Sequence, residues 1–237
     1  MTITDLQNRA YTPYSGQPVV AVAETASGEC FPGVRVENVT YPLTISAAQS
    51  ALFCCLSEGF SPRTLYLEDS IDSASTAFWR ETYSLEIAPL ETTSDLSFTR
   101  VLKQVNSVEK KLRSLLDEAI ADESDFPVSA LLKTSQGFIS GVNIEATNWN
   151  AGLCAERVAL AKAISYGLND FEALYVCTRK GEFSSPCGAC RQVIMEHMPH
   201  NAIHLYHADG TTSPFFSSDL LPYSFQSFSL QKQHKHQ

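Results

Sequence analysis

The sequence carries the same pattern twice, about 108 positions apart. The string GVRVEN beginning at Gly33 aligns with GVNIEA beginning at Gly141, and the same shift pairs Ala51 with Ala159. Upstream, TASG aligns with TSQG one residue out of step, as a small change in a hairpin turn produces. A run of matches in one register with a single insertion at a turn predicts a duplicated unit.

The two units are expected to share one order of elements, which the second shows more clearly. Apolar residues at helical spacing from Val101 to Ile120 predict an amphipathic helix that opens this unit. A hairpin follows, and then the helices AERVALAKAIS and GACRQVIMEHM alternate with the strands EALYVCT and AIHLYHA. Strands that alternate with helices imply an α/β sandwich.

The first unit has the same order in weaker form and departs from it after Asp69. The Ser/Thr-rich pieces SIDSAST and LETTSDLSFT are expected to be loops, which places the boundary near Ser94 to Phe98. We therefore expect one domain at residues 1–95 and a second at 96–237.

Composition disfavours several classes of protein. A net charge of −9 and a pI near 5.1 argue against extended contact with a polynucleotide. No stretch reaches the ~18 apolar residues of a membrane span, and the first residues lack a basic segment followed by an apolar run. Seven cysteines at irregular spacing indicate reduced thiols rather than a disulfide framework. We expect a cytoplasmic protein with no polynucleotide or membrane partner.

Two short strings carry the candidate chemistry, CAER from Cys154 and PCGAC from Pro186. The spacing of Cys187 and Cys190 lets both sulfurs reach one metal from a helix start, and Cys154 comes from another helix start. Zinc held by three protein ligands keeps a fourth position for water, whereas structural sites normally close with four. Glu156 is placed to carry the proton of that water, so we expect one catalytic Zn²⁺ per chain.

The surroundings of these thiols leave an alternative open. Three thiolates would weaken the pull of the ion on water, so Arg157, three residues after Cys154, and Arg191, which directly follows Cys190, are expected to withdraw charge from the sulfurs. In the alternative, the cysteines form a structural zinc knuckle, and the fourth ligand is Cys177, His197 or His200.

The strings GVNIEA, GLCAERVAL and SPCGACRQV, followed by LLPYSF, resemble the cytidine deaminases from Leu102 to about Gln231. The C-x-E and P-C-x-x-C pair is typical of zinc deaminases, and NIE and LLPYSF narrow the resemblance to enzymes of free nucleosides. The resemblance implies a three-layer α/β/α fold and hydrolytic removal of the 4-amino group of cytidine and deoxycytidine. Glu156 would take the proton of the attacking water and deliver it to ring N3 before ammonia leaves.

The same resemblance implies a set of substrate contacts. Asn143 and Glu145 would hold the ribose hydroxyls, and the main chain of Ala155 would hold the base. Phe126 would stack near the base, and Phe225 would close a neighbouring pocket. On the residues alone, Asn143 and Glu145 are turn or strand-edge polar residues with side chains on one strand face, and the two phenylalanines are core aromatics.

The first unit resembles the same family but lacks its chemistry. Ser46 and Ala48 stand at the positions of the first ligand and the proton carrier, and Arg35 stands in place of the ribose asparagine. We interpret Ser75 to Phe78 as the remnant of the PCGAC string. These replacements predict a non-catalytic copy kept for structure.

The resemblance also implies an assembly. Tetrameric cytidine deaminases use three cysteine ligands and share loops between neighbours, so a chain of two units implies a homodimer that imitates a four-domain tetramer. The catalytic unit has Trp149 and Asn150 where the family has Tyr and Pro, whereas Tyr41 survives in the first unit. We therefore expect Tyr41 to contribute to the catalytic site.

Two other functions remain open. The altered segments around Phe126 and Trp149 allow a deaminase of another amino-bearing nucleoside or of a nucleoside antibiotic. The degenerate first half allows a catalytically silent zinc protein that binds nucleosides or partners. The three thiols, Glu156 and Asn143 count against this last reading, because a silent protein would not need them.

Overall fold

The fold is taken from a computed structural model, which describes residues 2–68, 73–91 and 100–225. The expected domain boundary at Ser94 to Phe98 and the polar C-terminal tail lie outside these residues. The described residues form two mixed sheets, one in each half of the chain.

The first sheet has four strands in the order β2-β1-β3-β4, with β3 and β4 parallel and the other neighbours antiparallel. The elements of this half are α1 (Ile3–Gln7), β1 (Val20–Thr25), β2 (Cys30–Val34), α2 (Ala47–Leu56), β3 (Pro62–Leu67), α3 (Ser73–Tyr83) and β4 (Glu86–Pro89).

The second sheet has five strands in the order β6-β5-β7-β8-β9, with β7 and β8 parallel. The elements of this half are α4 (Val108–Leu115), β5 (Val128–Thr134), β6 (Gly137–Val142), α5 (Ala155–Ser165), β7 (Phe171–Thr178), α6 (Gly188–His197), β8 (Ala202–Tyr206), β9 (Thr212–Phe216) and α7 (Ser217–Leu220). The strand β9 was not predicted, because its sequence TSPFF begins with polar residues and contains a proline, which is uncommon inside strands.

Helices cover both faces of the second sheet. In β5, four consecutive residues are buried, which requires cover on both sides of the strand. Ser129 donates from Oγ to the carbonyl oxygen of Leu112 in α4 at 2.8 Å, while the next residue, Ala130, pairs with Gly141 beneath α5. The predicted α/β class, with helix, sheet and helix as three layers, is therefore confirmed.

Gly33 and Gly141, which occupy matching positions in the two halves, lie where a helix packs closely on its sheet. A Cβ on Gly141 would lie 2.6 Å from the backbone nitrogen of Ala159, and a Cβ on Gly33 would lie closer still to that of Ala51. Only a residue without a side chain permits this contact. The two halves therefore seat α2 and α5 on their sheets in the same way.

The two halves share one continuous hydrophobic core. The helix α5 packs against α2 and also against β2 of the first half. Polar contacts cross the same junction, where Val34 donates its N–H to Ser165 Oγ at 3.2 Å and Cys54 Sγ lies 3.0 Å from Tyr166 Oη. The junction of the halves is therefore formed by α2, β2 and α5, and α5 is the helix that carries Glu156.

Two predicted boundaries were wrong. The helix expected from Val101 begins only at Val108, because Leu102 instead pairs with Phe138 through two backbone hydrogen bonds of 2.9 Å. Ser107 caps the helix, accepting from Lys110 N at 3.3 Å. The segment SIDSAST was predicted as a loop, but its described end, from Ser73, already belongs to α3.

Candidate active site

The three predicted thiols lie together. Cys154 is the N-cap residue of α5, Cys187 is the N-cap residue of α6, and Cys190 lies in the first turn of α6. Their sulfur atoms all lie within 4.8 Å of one another, and the Cys154 and Cys187 sulfurs are 3.7 Å apart. Two helix starts that are 33 positions apart in the chain thus converge on one point.

This cluster fits a zinc ion. Sulfurs bound to one tetrahedral zinc at 2.3 Å are separated by about 3.8 Å, which is close to the spacing of Cys154 and Cys187. Hydrogen bonds from Cys154 and Cys190 lower the pKa of Cys187, whereas the pKa of Cys154 is raised by its bond with Cys187 and that of Cys190 first by its bond with Cys154. Three thiolates this close together repel one another, so a cation bound between them would favour all three deprotonated forms.

Glu156 lies beside the thiols in the first turn of α5 and is only 4% exposed. Burial raises its pKa to about 7, and the negative charge on Cys187 acts in the same direction. Its Oε2 atom is buried and has no hydrogen-bond partner among the residues that the structure describes. A carboxylate oxygen left unsatisfied inside a protein indicates a missing donor, such as a bound water or substrate.

Asn143 and Glu145 follow the end of β6 and line a cavity of about 140 Å³ together with Cys154. Both also hold the segment before β5. Asn143 accepts from Val128 N at 2.7 Å and donates to the carbonyl oxygen of Phe126 at 3.1 Å. Glu145 accepts from the backbone nitrogens of residues 123 and 124, each at 3.0 Å. The two polar side chains therefore shape the pocket wall as well as line it.

The remaining predicted substrate contacts lie at different depths. Ala155 is completely buried at the start of α5. Phe126 is 36% exposed and Phe225 is 52% exposed, so neither ring belongs to the core. The interpretation of these rings as core aromatics is therefore wrong, and their contact with substrate stays a prediction.

The two arginines next to the ligands make their hydrogen bonds with other groups. Arg157 donates from Nη2 to the carbonyl oxygen of Leu43 at 3.0 Å. Arg191 donates from Nε to the carbonyl oxygen of Pro186 at 2.8 Å and from Nη2 to Ser185 Oγ at 2.6 Å. Arg191 thus braces the loop that carries Cys187, and the predicted donation from either arginine to sulfur stays a prediction.

None of the fourth ligands suggested for a zinc knuckle belongs to the sulfur cluster. Cys177 is buried in β7, and the ring of His197 packs edge-on against Tyr11 with centroids 4.5 Å apart. His200 follows α6 on the surface. The cluster keeps three ligands, as a catalytic zinc site does.

The first half lacks an equivalent cluster among its described residues. Ser46 caps α2 through its own hydroxyl, which accepts from Gln49 N at 3.2 Å, and Ala48 is buried behind it. Ser75 to Phe78 lies within α3, the counterpart of α6 in the order of elements. Tyr41 is 84% exposed in a 3₁₀ turn, Tyr41–Leu43.

Sequence reasoning missed the contacts that join the two halves around this site. Gln49 donates from Nε2 to the carbonyl oxygen of Ala151 at 3.1 Å, and the bond from Arg157 to Leu43 is its mirror image. The shift of 108 positions that relates the two units also relates these two pairs. The internal repeat therefore relates these two hydrogen bonds, but it does not show that the two units pack against each other.

Comparison with known proteins identifies the family of the second half. Residues 103–205 match the family model described as cytidine and deoxycytidylate deaminase zinc-binding region. A cytidine deaminase of Sporosarcina psychrophila is 40% identical over 114 residues, which cover 46% of this chain and 82% of that protein. The chain belongs to the cytidine deaminase family.

Other proteins are also similar to part of the chain. A cytidine deaminase of Halalkalibacterium halodurans is 39% identical over 43% of this chain and 79% of its own length. A blasticidin-S deaminase of Bacillus cereus is 32% identical over 33% of this chain and 62% of its own length. The crystal structure of cytidine deaminase from Burkholderia pseudomallei, at 33% identity and a TM-score of 0.47, covers 49% of this chain and 94% of that one.

The family match and the sulfur cluster together identify zinc as the cofactor, as predicted. Among the described helices, none is both long enough and apolar enough to cross a membrane.

Proposed function

We propose that the second half of the chain deaminates cytidine and deoxycytidine hydrolytically, giving uridine or deoxyuridine and ammonia. The observation that carries this proposal is Glu156, a buried carboxylate with one unsatisfied oxygen beside three clustered thiols. Similarity to two cytidine deaminases, at 40% and 39% identity, supports the choice of substrate.

Glu156 is the proton carrier of this proposal. Zinc, when it is held by Cys154, Cys187 and Cys190, supplies a water that is more acidic than bulk water and placed to attack. With its pKa raised to about 7, the Glu156 carboxyl is able both to accept a proton and to donate one near neutral pH. It takes one proton from the water as the water oxygen bonds to ring C4, and it delivers that proton to ring N3. It then passes the proton of the new C4 hydroxyl to the amino group, so that the C4–N bond breaks and ammonia leaves.

The walls of the pocket position the nucleoside. Asn143 and Glu145 receive the ribose hydroxyls, the Ala155 main chain contacts the base, and Phe126 and Phe225 enclose it. Because Asn143 and Glu145 are held by backbone groups before β5, their side chains are fixed before the substrate arrives. Such preorganisation lowers the entropic cost of binding.

We also propose that the chain arose by tandem duplication, with domains at 1–95 and 96–237. Matched hydrogen bonds support it. Glu37 accepts from the backbone nitrogens of Tyr14 and Ser15, as Glu145 does from those of residues 123 and 124. The residue after each serine has a positive φ, 67° at Gly16 and 50° at Asp125. Asp tolerates this conformation better than most residues, so the second unit can form the same turn with Asp125 where the first unit has Gly16.

The assembly is a further part of the proposal. Two chains form a homodimer that imitates a four-domain tetramer, and Tyr41 of one chain completes the catalytic pocket of the other. The arrangement is compatible with the position of Tyr41, whose ring is 84% exposed in one chain and is not used in the core of that chain. A place in pyrimidine salvage and in the cytoplasm belongs to the same proposal, supported by the substrate and by seven free thiols.

A second candidate is deamination of a nucleoside antibiotic. The similarity to a blasticidin-S deaminase favours it, together with the altered segments around Phe126 and Trp149 in the sequence. Both candidates use the same thiols and Glu156, so only the substrate separates them.

Ultraviolet absorbance of zinc-loaded protein mixed with cytidine, deoxycytidine, cytosine or blasticidin S tests the proposal. Turnover of the two nucleosides is expected, with a loss of at least about a hundredfold in kcat for Glu156→Gln. The exposed Glu172, which pairs with Lys133 at 2.7 Å, gives the matched control Glu172→Gln with unchanged kcat. Turnover of blasticidin S alone would favour the second candidate, and full activity of Glu156→Gln would refute the mechanism.

A further inference from the structure

Glu196, in the last turn of α6, joins this helix to the first half of the chain. Its Oε1 atom accepts from Tyr11 Oη at 3.0 Å and from Tyr14 Oη at 2.5 Å. Its Oε2 atom accepts from Val39 N at 2.8 Å, across 157 positions of the chain. Burial and the Glu196 carboxylate raise the pKa of both tyrosines, so both keep the protons that they donate. The first half thus holds the carboxylate through both of its oxygens.

The helix that is held in this way carries two of the three thiols. Cys187 is its N-cap residue and Cys190 lies in its first turn. A rise of about 1.5 Å per residue puts about 14 Å between Cys187 and Glu196, so a tilt of about 5° at the Glu196 end would move the start of α6 by about 1 Å. Bond lengths at a metal vary by only about 0.2 Å. The direction of α6 therefore matters for the placement of both sulfurs.

The other helix of the sulfur cluster is held by the same part of the first half. Arg157, in the first turn of α5, donates to the carbonyl oxygen of Leu43 at 3.0 Å. Val39, the backbone donor to Glu196, lies only four residues before Leu43, and a 3₁₀ turn occupies the end of this segment. Residues 39–43 therefore connect α5, which starts after the third thiol, to α6.

The second unit has no such donors at the matching positions. Tyr11 and Ile120 make equivalent isolated parallel bridges in their units, so Ile120 stands where the first unit has Tyr11. Likewise, the backbone nitrogens of Tyr14 and Glu123 donate to matching glutamates, so Glu123 stands where the first unit has Tyr14. Neither Ile120 nor Glu123 offers a hydroxyl. The hydroxyl donors thus belong to the unit that faces α6.

We propose that Glu196 is a positioning residue of the catalytic site. Through Tyr11, Tyr14 and residues 39–43 it fixes α6 relative to α5, and so it sets the mutual placement of the three sulfurs. This inference deepens the proposed function, on which its kinetic part rests. Its other part concerns only how the chain holds zinc, which is measured without a nucleoside.

Release of zinc from the loaded full chain to a chromogenic chelator tests this placement. Glu196→Ala should release zinc about tenfold to a hundredfold faster, because the ligands on α6 lose their fixed position. Glu196→Gln should release zinc at nearly the rate of the unaltered chain. Its amide oxygen is able to accept from Val39 N, and its amide hydrogens are able to donate to the tyrosine oxygens.

Cobalt substitution and steady-state kinetics add two readouts that a loss of stability alone would not change. The visible absorption of the cobalt-loaded chain depends on ligand geometry, and its shape should change in Glu196→Ala but not in Glu196→Gln. With cytidine as substrate, Glu196→Ala should lower kcat about tenfold and leave KM within about twofold, because the pocket walls that bind the nucleoside stay in place.

Tyr166→Phe supplies the matched control. It removes the contact between Tyr166 Oη and Cys54 Sγ, 3.0 Å apart, which crosses the same junction at the other end of α5. It should lower the free energy of unfolding and leave zinc release unchanged. If Glu196→Ala does not fold, the double variant Tyr11→Phe/Tyr14→Phe, which keeps both rings but removes two of the three donors, should release zinc faster.

Two results would overturn the proposal. Zinc release at the unaltered rate in Glu196→Ala, or in the double tyrosine variant where Glu196→Ala does not fold, would show that the contact does not position the ligands. Equal acceleration by Tyr166→Phe would assign the effect to the junction as a whole. Faster zinc release in Glu196→Ala without any cytidine turnover by the unaltered chain would support the positioning role and refute the proposed function alone.

Discussion

Arg157 donates from Nη2 to the carbonyl oxygen of Leu43 at 3.0 Å, which ties the residue after Glu156 to a turn of the first half. Its counterpart by the internal repeat, Gln49, makes the mirrored bond to Ala151. The start of each buried helix is thus anchored on the other half. The first half is therefore a structural support for the helix that carries the proton carrier.

This anchoring predicts that Arg157→Met lowers both stability and activity. A hydrogen bond from a charged group contributes about 1.5–3 kcal/mol, so the free energy of unfolding in urea should fall by about that amount. The kcat should fall as well, because α5 carries Glu156. Arg63→Met, at an exposed position in the first half, should change neither value. An unchanged unfolding midpoint for Arg157→Met would contradict the anchoring.

The sulfur cluster predicts one zinc ion per chain. Cys187→Ser should reduce the bound zinc from one ion per chain to none or to a readily chelated fraction, because two protein ligands hold the ion poorly. Elemental analysis after dialysis measures this ratio. Cys30→Ser, which changes a partly buried thiol outside the cluster, should keep one ion. Two ions in the unaltered chain would mean that the first half also binds metal.

Glu58 and Lys162 form a buried ion pair, so the stability of the protein should depend strongly on the Glu58 carboxylate. Lys162 of α5 is completely buried, and its Nζ donates to Glu58 and lies 3.2 Å from Ser57 Oγ. Arg100 also pairs with Glu58 at 3.2 Å.

Glu58→Gln should lower the free energy of unfolding by about 3–5 kcal/mol, because it leaves a buried cation without its counter-charge. Adding Lys162→Met to that variant should restore part of the loss. Denaturant unfolding measures the free energy of unfolding of both variants. The control is Glu172→Gln, which removes one partner of an exposed ion pair and should lower that free energy by less than about 1 kcal/mol. A loss no larger than that of the control would show that the pair contributes little.

His197 predicts a pH dependence of stability. Burial lowers its pKa to about 4, and its Nε2 has no partner among the described groups. The unfolded chain binds a proton at about pH 6.5, so the stability gained from neutral His197 is present above that pH. It is lost as the pH falls from 6.5 towards 4.

The free energy of unfolding is expected to fall by roughly 1–3 kcal/mol over this pH range because of His197. This fall should disappear in His197→Phe, a ring that still packs against Tyr11. His200→Gln, three residues further on and at the surface, should keep the pH dependence of the unaltered chain. Urea unfolding between pH 7 and pH 4.5 measures the slope, and an equal slope in His197→Phe would refute the assignment.

Substitution of Tyr41 tests whether the catalytic pocket is shared between chains. Tyr41→Ala should raise KM for cytidine, since it removes a ring that a neighbouring chain's pocket needs. Phe216→Ala, another exposed ring at 58%, should leave KM unchanged. Unchanged kinetic constants in Tyr41→Ala, or a protein that sediments as a monomer while fully active, would rule out the shared site.

The chemistry was predictable because it depends on residue types at short spacings. Cys187 and Cys190 lie in one helix start, and Cys154 with Glu156 in another, so local sequence shows both the ligands and the proton carrier. The helix boundary at Val101 was not predictable in this way. Leu102 and the helical residues after it share one apolar pattern, and only the pairing with Phe138 separates them.

The sequence by itself determined the zinc ligands and the family, and it predicted two units of one architecture, because repeats, spacing and residue chemistry are local properties of the chain. The tertiary structure alone decided that α2 and α5 pack together and that the bonds of Arg157, Gln49 and Glu196 cross between the halves. These contacts join residues more than 100 positions apart. No local pattern encodes such pairings, since they depend on how two complete sheets and their helices fit against each other.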